Sequence, residues 1–274
     1  MSESDVVLDV PRRSVTERVV DTRLPTVHGE LRAVGYLDRV SGHEQVALVC
    51  GDVDKGRGVL TRVHSECLTG DVFGSTHCEC GDQLATALRA IVDAGTGVLV
   101  YLRGHEGRGI GLLAKLQAMR LQEEGLDTVE ANLALGLPSD ARDYRVAAEI
   151  LHDLNVGSVR LLSNNLRKLD ALRRYGVDVD ERVPLLIPPN DENLRYLRTK
   201  RERLGHHLPH LDDATTTATA TATATATGTG NGVGTGQRPS AASVSANEAT
   251  RLARTSRPFA ADASEGRPTT PDSV

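Results

Sequence analysis

The sequence predicts an α/β fold, with one mixed α/β domain over residues 23–210 between a flexible leader and a low-complexity tail. Two observations support this prediction. Short apolar runs typical of buried strands alternate with apolar residues at helical spacing throughout the central block. At residue 211 the composition changes abruptly to small and polar residues. The chain has 274 residues, of which 39% are hydrophobic, so the central block is long enough to bury a sizeable core.

Residues 1–22 are polar and show no sustained hydrophobic period, which predicts a flexible leader. The first residues lack the uninterrupted apolar stretch of a signal peptide. No apolar run approaches the roughly 20 residues that a membrane-spanning helix requires. We therefore expect a cytoplasmic protein without a membrane partner.

The central block contains four predicted strands and four predicted helices. The strands are short apolar runs at 46–50, 59–63, 97–101 and 159–162. The helices have apolar residues at helical spacing over residues 82–94, 110–124, 142–154 and 166–175. Glycines that follow three of these helices are typical of helix ends: Gly95, Gly125 and Gly176. Loops at strand ends place functional groups in such sheets, so we expect the polar motifs there to form the site.

The tail, residues 211–274, begins with an almost strict alternation of alanine and threonine over residues 214–227. Glycine-rich and serine-rich segments follow. This composition cannot bury enough apolar surface to offset chain entropy, which favours disorder. A strand in the alternating segment is the alternative, since threonine has β propensity.

The charge balance argues against nucleic acid as a partner. The chain has 32 Lys and Arg against 37 Asp and Glu, a formal net charge of -5, which disfavours a dominant nucleic-acid or anionic-membrane surface. Tryptophan is absent and phenylalanine occurs twice, so few aromatic side chains are available to stack on bases. Any phosphate ligand must therefore be bound locally.

Three of the four cysteines, Cys67, Cys78 and Cys80, have the spacing C-x10-C-x-C. Three soft ligands suit zinc. Three protein ligands leave one position open for water, whose pKa the metal lowers toward about 7. The alternatives are buried thiols without metal, or a structural site completed by one further residue: His64, His77 or Cys50.

Residues 103–111 form a glycine-rich segment that follows a predicted strand and opens a predicted helix. Backbone amides at a helix N-terminus, together with Arg108, would form an anion site. A closely packed glycine turn is the alternative. Further basic residues lie beside predicted strand ends or helix starts, where they would suit a triphosphate or remain on the surface: Arg62, Arg142, Arg167 and Lys168.

Six motifs follow one another along the central block: RVHSECLTGD at 62–71, CECGDQ at 78–83, EGRGIGL at 106–112, DTVEAN at 127–132, DARD at 140–143 and SNN at 163–165. Together and in this order, they resemble the GTP cyclohydrolase II family. The resemblance implies a domain of the GTP cyclohydrolase II type that acts as a homodimer. It also implies a hydrolase that opens the guanine imidazole ring of GTP at the start of riboflavin synthesis and releases pyrophosphate and, usually, formate.

The resemblance also implies the roles of individual residues. One zinc ion per chain would be held by Cys67, Cys78 and Cys80. GTP, with Mg²⁺ on its phosphates, would be bound by Arg62, Val63, His64, Ser65, Glu66, Gln83, Glu106, Gly107, Arg108, Thr128, Ser163 and Lys168. Asp140 corresponds to the proton acceptor and Arg142 to the nucleophile that attacks the α-phosphorus. Since a guanidinium group almost always stays protonated, a phosphate clamp is the alternative role for Arg142.

The sequence departs from the family at Met119, where members commonly carry a tyrosine near the zinc site. Methionine cannot transfer a proton, so we expect ring opening with impaired formate release and a 5-formylamino pyrimidine nucleotide as product. The alternative is a core position, because Leu112, Leu116 and Met119 share one helical stripe.

Ser163 replaces the usual threonine and keeps its hydroxyl. From the short leader, we expect no fused synthase domain of the kind that some members carry. A rival function is a catalytically silent, zinc-stabilised nucleotide-binding regulator.

Overall fold

The computed structural model describes residues 14–212, in which a seven-stranded sheet carries helices on both faces. The strands are β1 (Thr16–Thr26), β2 (Gly29–Asp38), β3 (Glu44–Cys50), β4 (Val59–Ser65), β5 (Gly97–Leu102), β6 (Val159–Leu162) and β7 (Val179–Val183). The α-helices are α1 (Leu68–Asp71), α2 (Cys80–Asp93), α3 (Leu112–Glu123), α4 (Thr128–Ala134), α5 (Arg145–Asp153), α6 (Leu166–Arg174) and α7 (Leu194–Leu204). A 3₁₀ turn covers Glu106–Arg108. The predicted α/β fold is therefore confirmed.

The sheet has an antiparallel half and a parallel half. Its spatial order is β1-β2-β3-β5-β4-β6-β7, and the pairs from β1 to β5 are antiparallel. Strands β5, β4, β6 and β7 run parallel to one another. The carboxyl ends of these four strands meet at one edge of the sheet, and the loops that follow them meet there too.

The core lies on both faces of the sheet because β5 is buried on both sides. Leu99 of β5 packs with Ile91 of α2 on one face. Val100 of the same strand belongs to the opposite cluster, with Ile150 of α5 and Leu172 of α6. Alternation of side chains along a strand sends neighbouring residues to opposite faces. A continuous apolar run such as that of β5 is therefore what a central parallel strand needs.

The eight predicted elements are all present, and most of their bounds agree to within two residues. The largest difference is at α5, which begins at Arg145 rather than at residue 142. Residues 140–142 therefore lie in the preceding loop. The prediction missed seven elements, counting the 3₁₀ turn: β1, β2, β7, α1, α4, α7 and the turn Glu106–Arg108.

The predicted leader overlaps strand β1, which begins at Thr16, so the boundary at residue 22 is wrong for residues 16–22. This strand has no buried residue and hence no apolar period to detect. Backbone pairing with β2 holds it in place, together with ion pairs such as Arg32–Asp21 at 2.5 Å. Its first amide, that of Thr16, donates to the Glu149 carboxylate on α5. Residues 1–13 lie outside the described residues.

The C-terminal boundary also shifts slightly. Leu211, assigned by the sequence to the tail, is buried in a small cluster with Leu197 and Leu208. The predicted disorder of residues 213–274 falls outside the described residues. Within residues 14–212, every helix is too short or too polar to cross a lipid bilayer.

Candidate active site

A pocket of about 310 Å³ lies at the edge of the sheet where β4, β5 and β6 end. Its walls come from the end of β4, the turn after β5, the loop after β6 and the helices α2, α3 and α7. Parallel strands of a sheet place the residues that follow them at one edge. The segments that carry the sequence motifs are therefore brought together by the sheet topology.

The pocket collects all but two of the site residues that the sequence predicts. Those that line it are Arg62, His64, Ser65, Glu66, Cys67, Cys78, Cys80, Gln83, Glu106, Gly107, Arg108, Thr128, Arg142, Ser163 and Lys168. Val63 points into the core, and only its backbone oxygen reaches the site, where it accepts a 2.6 Å hydrogen bond from Lys168 Nζ. Asp140 lies beside Arg142 without lining the pocket.

The three thiol groups of Cys67, Cys78 and Cys80 form one cluster, with their sulfur atoms within 4.8 Å of one another. Cys67 directly precedes α1, and Cys80 is the first residue of α2. Gly70 makes the approach of these two helices possible. A Cβ atom at this position would lie 2.7 Å from Cys78 Sγ and 3.3 Å from Cys67 Sγ, closer than the atoms can pack.

The donor set fits a zinc ion with one open position. Within residues 14–212, the group of close ligand atoms consists of the three thiols alone. His64 is engaged by Asp71 instead, with Nε2 at 3.0 Å from both carboxylate oxygens. Cys50 pairs with Gly97 at the amino end of β5 and so lies at the opposite edge of the sheet. His77 lines the pocket but is exposed.

Asp71 fixes the first of the three thiols through the backbone. Its Oδ2 accepts hydrogen bonds from the Cys67 amide at 3.0 Å and from the Tyr101 hydroxyl at 2.8 Å. The Tyr101 ring stacks on the His64 ring. Burial lowers the pKa of His64, so a neutral imidazole faces the Asp71 carboxylate. Supporting contacts of this kind orient metal ligands.

The glycine-rich turn after β5 places the Arg108 side chain in the pocket, while three of its backbone amides are engaged within the turn. The amides of Arg108, Gly109 and Gly111 all donate to carbonyl groups of the turn itself. The expected backbone anion site is therefore occupied by internal hydrogen bonds at these three positions. Arg108 adopts a left-handed conformation, with φ of 68°, and its buried guanidinium lines the pocket.

A second cluster of pocket residues is cationic. Arg108, Arg142 and Lys168 all line the pocket, whereas Arg167 is exposed on α6 and does not. Burial, together with the neighbouring charges of Arg62 and Arg142, holds the pKa of Lys168 well below its ordinary value. A bound polyanion would relieve this repulsion. The cluster therefore suits a triphosphate.

Asp140 and Arg142 form a two-pronged ion pair at the end of this cluster. Arg142 donates from Nε to Asp140 Oδ1 at 2.8 Å and from Nη2 to Oδ2 at 2.6 Å. Burial opposes the charge of Arg142, but these hydrogen bonds to Asp140 raise its pKa. The guanidinium is therefore a cation in this state, with the proton acceptor that the resemblance implies already in contact with it.

A chain of buried polar groups leads from the strands to the C-terminal helix. Arg62 donates to the backbone oxygen of Leu162 and to Gln83 Oε1. Gln83 donates to Glu79 Oε1, which also accepts a 2.6 Å hydrogen bond from Lys200 of α7. Glu79 lies between two of the thiols in sequence and is 1% exposed. Lys200 is therefore the charge that balances a buried carboxylate next to the cluster.

Met119 lies on the wall of the pocket and not in the core. It is partly exposed, and Leu116 on the same predicted stripe is 45% exposed. The one fully buried residue of α3 within the described chain is Ala118. The alternative that Met119 is a core position is therefore wrong.

Several pocket residues outside the six motifs were not predicted from the sequence. Ser75 lies between α1 and α2, His105 lies within the glycine-rich segment, and five more belong to α3 and the residues that follow it: Lys115, Ala118, Gln122, Glu123 and Leu126. The others belong to α7 and its flanks: Glu192, Arg195, Tyr196, Thr199, Lys200 and His206. A left-handed Gly205 ends α7, which is a helix-end signal present in the sequence. The charged sequence of this helix is otherwise typical of a surface helix.

The comparison with known families agrees with the resemblance. The family of GTP cyclohydrolase II matches residues 17–184 of this chain. A GTP cyclohydrolase-2 of Streptomyces coelicolor is 70% identical over 203 residues, which cover 74% of this chain and 91% of that protein.

Larger relatives match as well. A riboflavin biosynthesis protein RibBA of Mycobacteroides abscessus is 57% identical over 72% of this chain, and that of Nocardia farcinica is 59% identical over the same share. The chain spans about half the length of these RibBA proteins, 48% and 47%. Among solved structures, RibBX, a two-domain 3,4-dihydroxy-2-butanone 4-phosphate synthase from A. baumannii, matches 63% of this chain and 41% of its own. The TM-score is 0.38, at 22% identity.

The buried pair of Glu79 and Lys200 gives a test that needs no substrate. Lys200→Met leaves the Glu79 carboxylate buried without its charge partner, so we expect a loss of about 3–5 kcal/mol in the free energy of unfolding. The exposed pair Arg160–Glu181 provides the control, since Arg160→Met should cost about 1 kcal/mol or less. Urea unfolding at a fixed zinc concentration measures both, and equal losses would contradict the assignment.

Proposed function

The chain belongs to the GTP cyclohydrolase II family, a family of hydrolases of riboflavin biosynthesis, and from this we propose that its pocket opens the imidazole ring of GTP and releases pyrophosphate. One observation carries the proposal: the three-thiol cluster and the cluster of buried cations line the same pocket. A metal-ligand set at one end and a polyanion site at the other are what hydrolysis of a nucleoside triphosphate requires.

The thiol end is proposed to hold one zinc ion per chain through Cys67, Cys78 and Cys80. Bound there, zinc would supply a Lewis acid with an open position for hydrolysis at C8 of the guanine. The protein residues orient and shield that position. Asp71 fixes the Cys67 backbone, and the packing of Gly70 holds the thiols together.

The cationic end is proposed to bind the triphosphate, with Mg²⁺ as the family resemblance implies. Arg108, Arg142 and Lys168 supply the positive charge. The remaining predicted contacts to GTP are Arg62, Val63, His64, Ser65, Glu66, Gln83, Glu106, Gly107, Thr128 and Ser163. Val63 contributes through its backbone oxygen, which positions Lys168 Nζ. The homodimer likewise rests on the family resemblance.

Two roles are proposed for Arg142, and the ion pair with Asp140 supports each. As a clamp, the protonated guanidinium would neutralise charge on the α-phosphate. As a nucleophile, it would have to lose a proton as it attacks phosphorus, and Asp140 already accepts two of its N–H groups. Either way Arg142 belongs to the release of pyrophosphate rather than to the ring chemistry.

The product is proposed to be a 5-formylamino pyrimidine nucleotide. Release of the former C8 of the guanine as formate requires a second hydrolysis with its own proton transfer. Met119, on the wall of the pocket, offers a thioether that cannot donate a proton. Ring opening can still use the metal end, so the second hydrolysis is the step that Met119 limits.

The alternative function is a zinc-stabilised nucleotide-binding regulator without turnover. The intact ion pair of Asp140 with Arg142 and the intact thiol cluster argue against it. Incubation with GTP and Mg²⁺ separates the two functions, since the regulator would bind GTP without releasing pyrophosphate.

The zinc assignment is tested with Cys78→Ser. Loss of one of three thiolates should reduce bound zinc from about one equivalent to well below half, with ring opening reduced about a hundredfold or more. Cys50→Ser is the matched control, because Cys50 lies at the opposite edge of the sheet. Zinc by atomic absorption and ring opening by absorbance are the measurements, and full activity in a zinc-free preparation would refute the assignment.

The role of Arg142 is tested with Arg142→Ala, with the exposed Arg57→Ala as the control. We expect pyrophosphate release to fall about a thousandfold while zinc content stays unchanged, because the cationic and thiol ends are separate. A coupled enzymatic assay for pyrophosphate gives the rate. Pyrophosphate release equal to that of the parent would remove Arg142 from the chemical step.

The product assignment is tested by the ratio of formate to pyrophosphate, with mass spectrometry of the nucleotide product. The parent should give a ratio near zero and a formylated product, and Met119→Tyr should raise the ratio because a phenol restores proton transfer. Met119→Leu keeps the bulk without the hydroxyl and should leave the ratio low. A parent ratio near one would be incompatible with the proposed product.

A further inference from the structure

Lys115 of α3 lines the pocket and contacts the thiol cluster. Its Nζ lies 3.1 Å from Cys67 Sγ, 2.7 Å from Thr69 Oγ1 and 2.7 Å from Glu106 Oε1. An ammonium group has three N–H donors. These three contacts give each donor an acceptor, so the position of the charge is defined.

The aliphatic part of the Lys115 side chain is also packed in place. Lys115 is 17% exposed. A Cβ atom on Gly107 would lie 2.9 Å from Lys115 Cβ, so the stem of the lysine packs directly against the glycine-rich turn. Glu106 also accepts a 2.6 Å hydrogen bond from the backbone amide of Leu68, the residue after Cys67. The Glu106–Lys115 pair therefore joins α3 to the segment that carries the first thiol.

A three-thiolate metal site has a charge that needs compensation. Three thiolates around a divalent cation leave a net charge of minus one in a partly buried pocket. A positive charge in contact with one sulfur offsets it. A hydrogen bond to a ligating sulfur also draws electron density from it, which changes how strongly that ligand donates to the metal.

We infer that Lys115 is a positioning residue of the metal centre, which holds Cys67 Sγ in place and withdraws charge from it. The inference rests on the proposed function, because it requires a metal on the three thiols. It adds a residue to which the family resemblance assigns no role. By reducing donation from Cys67, Lys115 makes the bound metal a stronger Lewis acid than three unperturbed thiolates would allow.

Cobalt substitution tests this electronic role independently of activity. Co²⁺ in place of zinc gives sulfur-to-cobalt charge-transfer bands whose energy depends on the electron density at sulfur. In Lys115→Met the sulfur is more electron-rich, so we expect the bands to move to lower energy. Lys115→Arg keeps a charged N–H donor and should restore the band position. Arg120→Met removes one exposed cation from the same helix and should leave the bands unchanged.

The zinc-loaded variants provide the second readout. We expect ring opening in Lys115→Met to fall about 10–100-fold, the usual effect of removing an outer contact to a metal ligand, with partial recovery in Lys115→Arg. If Lys115→Met does not fold, Lys115→Gln takes its place, because glutamine retains an N–H donor without the charge. The charge-transfer bands of Lys115→Gln should then lie at lower energy than those of the parent.

The outcomes separate the inference from the proposed function. A parent protein that binds Co²⁺ and opens GTP, with unchanged bands in Lys115→Met or Lys115→Gln, would overturn the inference alone. A parent that binds no metal at the three thiols would overturn both. A band shift together with rescue by Lys115→Arg supports the inference, since a purely structural role for Lys115 would change stability without moving the bands.

Discussion

The close approach of α1 and α2 is the constraint on which the site depends. Cys67 directly precedes α1 and Cys80 is the first residue of α2, so the thiols meet only if the helices nearly touch. Gly70 and Gly81 allow this contact. A Cβ atom on Gly81 would lie 2.4 Å from the backbone oxygen of Gly70, which no side chain could tolerate. The repeated pattern of a cysteine followed by a glycine and an aspartate is thus a packing requirement as well as a ligand set.

Buried charge is the second feature that organises the site. The two ends of the pocket differ in how their buried charges are paired. At the thiol end, carboxylates are paired with lysines of α3 and α7: Glu106 with Lys115, and Glu79 with Lys200. At the other end, Lys168 is surrounded by further cations and lacks such a pair within the described residues. Burying charge is costly unless it is compensated. The carboxylates of the thiol end are compensated by the protein itself, whereas Lys168 at the cationic end would be compensated by the anionic ligand that we propose.

The sequence predicted the parts of this design whose signals are local. The apolar run of β5 and the helical spacing of α2 are visible in the sequence, and the site residues named from the family resemblance all line the pocket except Val63 and Asp140. Strand β1 escaped prediction because it buries no face and is held by pairing with β2. Lys115 and Lys200 were not predicted as pocket residues, because a lysine on a helix is usually exposed on the surface. Only the tertiary fold aims these two side chains at Cys67 and Glu79.

Helix α3 shows how chemistry can change on this scaffold while the fold is preserved. Within the described residues, the one buried residue of this helix is Ala118. Lys115 and Met119 both face the pocket, one turn apart. A residue on a pocket wall fills little core volume, so its replacement costs little stability. On the proposed function, a change between tyrosine and methionine at position 119 would therefore alter proton transfer without disturbing the thiols. Lys115, by contrast, contacts the first thiol, Thr69 and Glu106, so a change at this position would disturb the thiol cluster itself. On the two proposals, the product of the reaction and the metal centre would depend on different side chains of this one helix, so the first could vary while the second is retained.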